Sequence, residues 1–273
     1  MVTLALKVYQ NGPATPMLAR LDMIPGRSIT GAAVDAAFEG STFHIASGGT
    51  SRVPNLPGSA DYTVGVRRLE IDLVTREPTD NPTRWFRHIT DGLGDDVLAD
   101  VAINSSTVEP QTLEGVVWVT GKSQDGPNGD FDILTYQLND LDGLGGLGDT
   151  RWLAKWNSPA NGDDEDVRLD PLVLTGQPMR LYVTGATTGV QGERRVVTLK
   201  YDTVALLPPA LKAPLWSPVP IRLRPGNLHS EPAGIDVHWV PNTTTRHFNI
   251  GGRSLSPTSG WDWQTLGYTD NTP

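Results

Sequence analysis

The sequence predicts an all-β fold: a β-propeller of about four four-stranded blades, standing as an open arc or a fragment of a larger propeller. Three observations predict it. A Gly-x-Ser/Thr signature recurs at Gly49-Thr50-Ser51, Gly121-Lys122-Ser123, Gly185-Ala186-Thr187 and Gly252-Arg253-Ser254, its glycines 72, 64 and 67 residues apart. Within each unit the strands grade from small and apolar to charged, as a blade does from axis to rim. The 29 Gly and 22 Pro are spread along the chain, and no stripe of helical period interrupts them.

The strands of one unit are labelled a to d. The chain opens in a c strand, Thr3 to Tyr9, followed by a d strand near Met17 to Leu21. Strand a reads Ala32 to Phe38, Leu98 to Ile103, Asp166 to Leu174 and Ile235 to Val240, small and apolar as crowding near an axis requires. Strands b, such as Val116 to Thr120 and Leu181 to Thr184, are nearly continuous apolar runs, expected when both faces are covered. Strands c alternate and close on Tyr9, Arg67, Tyr136, Tyr201 and Tyr268. Six residues before three of these lie Asp61, Asp130 and Asp262, each followed by an aromatic: Tyr62, Phe131 and Trp263. Strands d carry Trp85, Trp152 and Trp216, with Met17 in the matching N-terminal place, and charges that protect an outer edge. The tryptophans are read as wedges between blades, since each buries about 150–250 Å². The units are residues 1–25 (outer strands of a partial blade), 26–90, 91–157, 158–225 and 226–273 (a partial blade). One c strand is left over, which points to an arc rather than a closed ring.

Three runs carry a resemblance: VDAAFEGSTFHIASGG, VVWVTGKS…GDFDILTYQLND…TRWLAKWNSPANGDDED, and RLYVTGATT…RRVVTLKYD. They resemble the bacterial β-propeller repeat family, over nearly the whole chain and most closely in the second and third units. The first unit departs with Arg67 in place of Tyr, and the third lacks the Asp-aromatic start of strand c. The resemblance implies a propeller within large, mostly secreted or surface bacterial proteins. It implies an extracellular or cell-surface location, further blades or domains in a longer parent chain, and no catalytic residues.

Composition narrows the partners. A net charge of −9 argues against nucleic acid, which needs a basic face. No apolar run is long enough to insert in a membrane, and no charged leader precedes an apolar core at the start. The absence of cysteine excludes disulfides, thiolate metal sites and Cys nucleophiles.

Few motifs carry chemistry. Gly143-Leu144-Gly145-Gly146-Leu147-Gly148 has dinucleotide-fingerprint spacing but precedes a strand rather than a helix, so it reads as a turn. Asp140, Asp142 and Asp149 resemble part of a calcium loop, although the bidentate Glu is missing. Calcium is the one ion suggested, and no other cofactor is. Asp95-Asp96 and Asp163-Asp164-Glu165-Asp166 mass charge in matching d–a connections and read as a solvated rim. The histidines, His44, His88, His229, His238 and His247, lack metal-ligand spacing. The repeated Ser/Thr of the Gly-x-Ser turns read as structural. Trp239, Trp261 and Trp263 are extra to the repeat and are the candidate ligand-binding residues.

The first expectation is a non-catalytic interaction scaffold that binds a protein or glycan through the loops Gly48 to Ala60, Leu73 to Thr83 and Asp202 to Pro214. The alternative is an enzyme, a glycan-processing hydrolase or lyase or a quinone-dependent dehydrogenase. Its site would lie at the central channel and draw on Asp35, Asp100 and Asp236. That alternative requires ionisable groups that are not copied from blade to blade.

Overall fold

The computed structural model describes residues 3–6, 17–20, 27–39, 42–56, 58–71, 78–80, 85–90, 94–104, 115–125, 129–140, 146, 148–172, 179–189, 191–203, 211–215, 229–240, 243 and 245–270. Among them there is no helix, and every regular element is an antiparallel strand. The architecture is a β-propeller. Strands β1 (Thr3–Leu6) and β2 (Met17–Arg20) pair as a hairpin. The first large sheet holds β3 (Ser28–Glu39), β4 (Thr42–Arg52) and β5 (Ala60–Ile71), with β6 (Pro78–Asp80) and β7 (Trp85–Ile89) both on the outer edge of β5. The second is β8 (Asp96–Asn104), β9 (Val116–Gln124), β10 (Phe131–Asn139) and β11 (Thr150–Trp156). The third is β12 (Asp164–Leu172), β13 (Arg180–Thr188) and β14 (Arg194–Asp202). The fourth is β15 (His229–Trp239), β16 (Arg246–Ser256) and β17 (Gly260–Asp270). The d strand expected around Trp216 lies outside the described residues. Just before it, Lys212 donates its N–H to Leu153 and Leu215 to Lys200.

Register aligns the sheets residue by residue. The middle residue of each Gly-x-Ser/Thr pairs with Tyr62, Ile133, Val196 and Trp263 in turn. The repeat as spaced in sequence is therefore corrected by two residues in the second sheet. Asp132 and Ile133, not Asp130 and Phe131, stand where Asp61 and Tyr62 stand.

Each sheet stacks on the next through a shared apolar layer. Between the first and second sheets lie Tyr62, Val64, Val66, Leu98, Val101 and Leu134. Between the second and third lie Trp118, Ile133, Trp152, Leu169, Leu181 and Tyr201. Between the third and fourth lie Tyr182, Val196, Val237, Phe248 and Ile250. Glycine at the signature position lets neighbouring sheets approach. A Cβ on Gly121 would sit 2.7 Å from the Tyr62 hydroxyl, and one on Gly185 2.7 Å from Ile133 Cδ1. Trp85 and Trp152 occupy equivalent places on β7 and β11 and are buried in the first and second layers, as wedges should be. Among the described residues, no such layer joins β15–β17 back to β3–β7.

Candidate active site at the innermost strands

The innermost strand of each large sheet carries a carboxylate: Asp35 on β3, Asp100 on β8, Asp170 on β12 and Asp236 on β15. Register separates them into two kinds. Asp35 pairs with Ala46, Asp170 with Tyr182 and Asp236 with Asn249, each three residues before the signature glycine of its sheet. In the second sheet that place belongs to Ala102, opposite Trp118. Asp100 pairs with Thr120, two residues further along, where the other sheets have Ala33, Arg168 and Gly234. Asp100 is thus a carboxylate that the other sheets do not copy.

These groups clasp sheet to sheet. Asp35 Oδ2 accepts the Ile103 N–H at 2.9 Å and Asp170 Oδ2 the Val237 N–H at 2.6 Å, equivalent bonds across two junctions. Asp100 accepts from Leu169 at 3.1 Å through Oδ2 and from its neighbour Val101 at 2.9 Å through Oδ1. Asp236 has no such clasp and faces solvent, with His238 Nδ1 3.6 Å away. Burial raises Asp170 to about 6, and the charges of Asp236, Asp100 and Asp35 push the same way against the Val237 hydrogen bond. Burial also raises Asp100, with Asp35 adding to the effect, while its backbone hydrogen bonds and Arg168 oppose it. Burial, with like charge added to it, thus shifts Asp170 from the ordinary carboxylate range toward neutral pH.

Other clusters have structural work. Ser51 Oγ lies 3.2 Å from His88 Nδ1, and His88 Nε2 lies 2.9 Å from Asp61, which also pairs with Arg27 at 2.5 Å. The order Ser–His–Asp matches a nucleophilic triad, but Ser51 is fully buried. The next sheet repeats the set as Ser123, Lys155 and Asp132. The set ties strands b, c and d together. Asp132 is raised to about 6 and Asp164 to about 7, in both cases mainly by burial.

Two of the three expected calcium ligands, Asp140 and Asp149, are described. Asp140 is buried and accepts the Trp85 indole N–H at 2.5 Å, with His44 Nδ1 3.6 Å away. Asp149 accepts the Gly146 N–H at 2.7 Å. Asp142 and most of the Gly143–Gly148 run lie outside the described residues. Among the described residues no group of three or more His, Asp or Glu is placed to hold a metal ion. The histidines do not converge: His229 accepts the Arg194 N–H, while His238 and His247 stack on each other. The three extra tryptophans divide. Trp239 turns inward, packs on the third apolar layer and lies under Arg246. Trp261 and Trp263 point outward from β17, Trp261 beneath the Arg253 guanidinium at 4.6 Å.

No family model matches the chain, and no curated protein is similar to it in sequence. Solved structures are similar at low identity. An α-L-arabinanase of Cellvibrio cellulosa complexed with arabinohexaose is 12% identical, with 86% of this chain and 72% of that one covered, at a TM-score of 0.37. A levansucrase of Bacillus subtilis is 9% identical over 91% and 85%, at 0.39. The catalytic domain of a Coprinopsis cinerea GH62 α-L-arabinofuranosidase is 10% identical over 89% and 90%, at 0.30. Likeness at this level carries no residue across. Against the expectation of a non-catalytic scaffold, these similar structures are named as an arabinanase, a levansucrase and an arabinofuranosidase. Among the described residues no helix is long and apolar enough to cross a membrane.

Proposed function

We propose that the chain processes a glycan at its axis, cleaving a glycosidic bond with carboxylates from neighbouring innermost strands. One observation carries the reading: Asp170, raised to about 6, sits in the field of Asp100, Asp35 and Asp236. Glycosidic cleavage needs a protonated carboxyl at the leaving oxygen and an ionised one at the sugar or at water. Asp170 takes the first role and Asp236, open to solvent, the second. Burial raises Asp170 most, and the charges of Asp236, Asp100 and Asp35 add to it. Such paired general acid–base groups contribute on the order of 10²–10⁴-fold each.

The similar structures include one bound to arabinohexaose and one named for levan, so arabinans and fructans are the first substrates to test. Reducing ends released from a panel of both would be measured with the chain and with Asp170→Asn. Turnover should fall as pH rises through about 6, where Asp170 loses its proton. The variant should lose at least about 10²-fold in kcat/KM. Turnover unchanged in Asp170→Asn and in Asp236→Asn would remove both groups from the chemistry.

A further inference from the structure

The fourth sheet leaves open a face that is covered in each of the three before it. Tyr62, Ile133 and Val196 occupy one register position on β5, β10 and β14, and all three are fully buried against the sheet that follows. Each meets a matching residue on that sheet's innermost strand. Tyr62 shares a layer with Val101, Ile133 with Leu169, and Val196 with Ile235. Those partners are equivalent too, each pairing with the residue two before its signature glycine.

The fourth copy of the first set is Trp263, which is 77% exposed. The fourth copy of the second set is Val34, opposite Ser47 on the first sheet, and it is 44% exposed. Two halves of one recurring contact therefore stand open, one on the fourth sheet and one on the first. Glycine tells the same story. Where a Cβ on Gly48 would touch Leu98 of the next sheet at 3.0 Å, one on its equivalent Gly251 would meet nothing within 4 Å. A hollow of about 380 Å³ remains there, lined by Gly234, Gly251, Gly252, Trp263, Gln264 and Thr265.

We infer that this face docks a second copy of the chain head to tail, Trp263 of one molecule against the β3 strip around Val34 of the next. Volume favours the chain's own first sheet as the occupant. Trp263 is bulkier than Tyr62, Ile133 or Val196. Opposite it β3 carries Gly31-Ala32-Ala33, where β8 carries Leu98-Ala99-Asp100. The largest projection thus meets the smallest strand. Ile45 and Thr63, on the same side of the first sheet as Val34, are already buried, so the strip that receives Trp263 runs along β3. The contact is heterologous, so it propagates until the rotation closes a ring.

The test is sedimentation of the 273-residue chain across micromolar concentrations, with Trp263→Asp and Val34→Asp prepared alongside and checked for native circular dichroism. The wild type should associate as concentration rises, and each variant alone should stay monomeric. Mixed, the two variants should form a heterodimer, because each retains the half that the other lacks. A wild type that is monomeric at every concentration, as when Trp263 is covered within its own chain or serves as a sugar platform, overturns the inference. So does a mixture of variants that fails to associate. Neither result bears on the carboxylates at the axis.

Discussion

The second junction and the third hold sheets together by different physics. Between the second and third sheets the layer is large and built of aromatic and aliphatic side chains. Trp118, Ile133, Trp152, Leu181, Leu199 and Tyr201 fill it, and the rings of Trp152 and Tyr201 lie 5.7 Å apart, tilted by 35°. Between the third and fourth sheets the apolar layer is smaller and an ionic network is buried beside it. Lys200 Nζ and the Tyr182 hydroxyl each reach Asp270 Oδ2 at 2.7 Å, with Arg246 3.8 Å away, and Lys200 and Asp270 are almost wholly shielded from water. Burial holds the Lys200 ammonium below its usual range and, with Asp270, lifts the Tyr182 hydroxyl above its own. The first kind of contact rests on apolar packing, on the Asp100 clasp to Leu169 and on the partly exposed Lys122–Glu165 pair at 2.7 Å. The second also demands that every charge keep its partner, because desolvated charges gain little net energy and lose much when one is removed.

The comparison breaks hardest at Asp270. Asp270→Ala removes the carboxylate that Lys200, Tyr182 and Arg246 share and should cost about 3–5 kcal/mol in urea unfolding, whereas the pair Lys200→Met with Asp270→Leu should recover only the part owed to Lys200. If the single variant costs no more than a surface change, the network does not hold the fourth sheet. At the second junction the matching probe is Gly185→Ala, whose added Cβ meets Ile133 Cδ1 at 2.7 Å and the Glu165 carbonyl at 3.2 Å. Overpacking of this kind costs about 1–3 kcal/mol, and Ile133→Val should relieve part of it. An unchanged midpoint would mean that the sheets are not so closely apposed.

The smallest effect is the pH response of Asp164, raised to about 7. The folded state keeps a proton that the unfolded chain, at an ordinary 3.8, gives up. That contribution to stability is complete below about pH 4 and is lost as pH rises through about 7. Asp164→Asn should therefore stabilise the protein at pH 8 by about 1–2 kcal/mol and flatten the slope between about pH 4 and 7. A variant less stable than wild type at pH 8 would show that the ionised carboxylate is satisfied in the fold.

Much of this was legible in the chain. Strands, turns, the grading from small to charged and the wedge tryptophans Trp85 and Trp152 follow from period-two patterning and from glycine spacing, which are local. The buried ionic network was not legible. Lys200 and Asp270 look like ordinary rim charges, and nothing near either marks the partner 70 residues away. The division of the extra tryptophans was hidden too. Trp239, Trp261 and Trp263 are alike in composition, and only strand direction turns the first inward and the others out.

By itself the sequence determined that this chain would be all-β, repeated and graded, because alternation dictates which face of a strand is buried. It did not determine register. A slip of two residues leaves every side chain on its own face, so Phe131 passes for Ile133 and Asp100 for a copy of Asp35. Only the hydrogen-bond ladders, closed between distant segments, decide between such pairings. They set Asp100 apart from the repeated carboxylates and leave Trp263 and Val34 as the two open halves of a contact that is closed three times elsewhere.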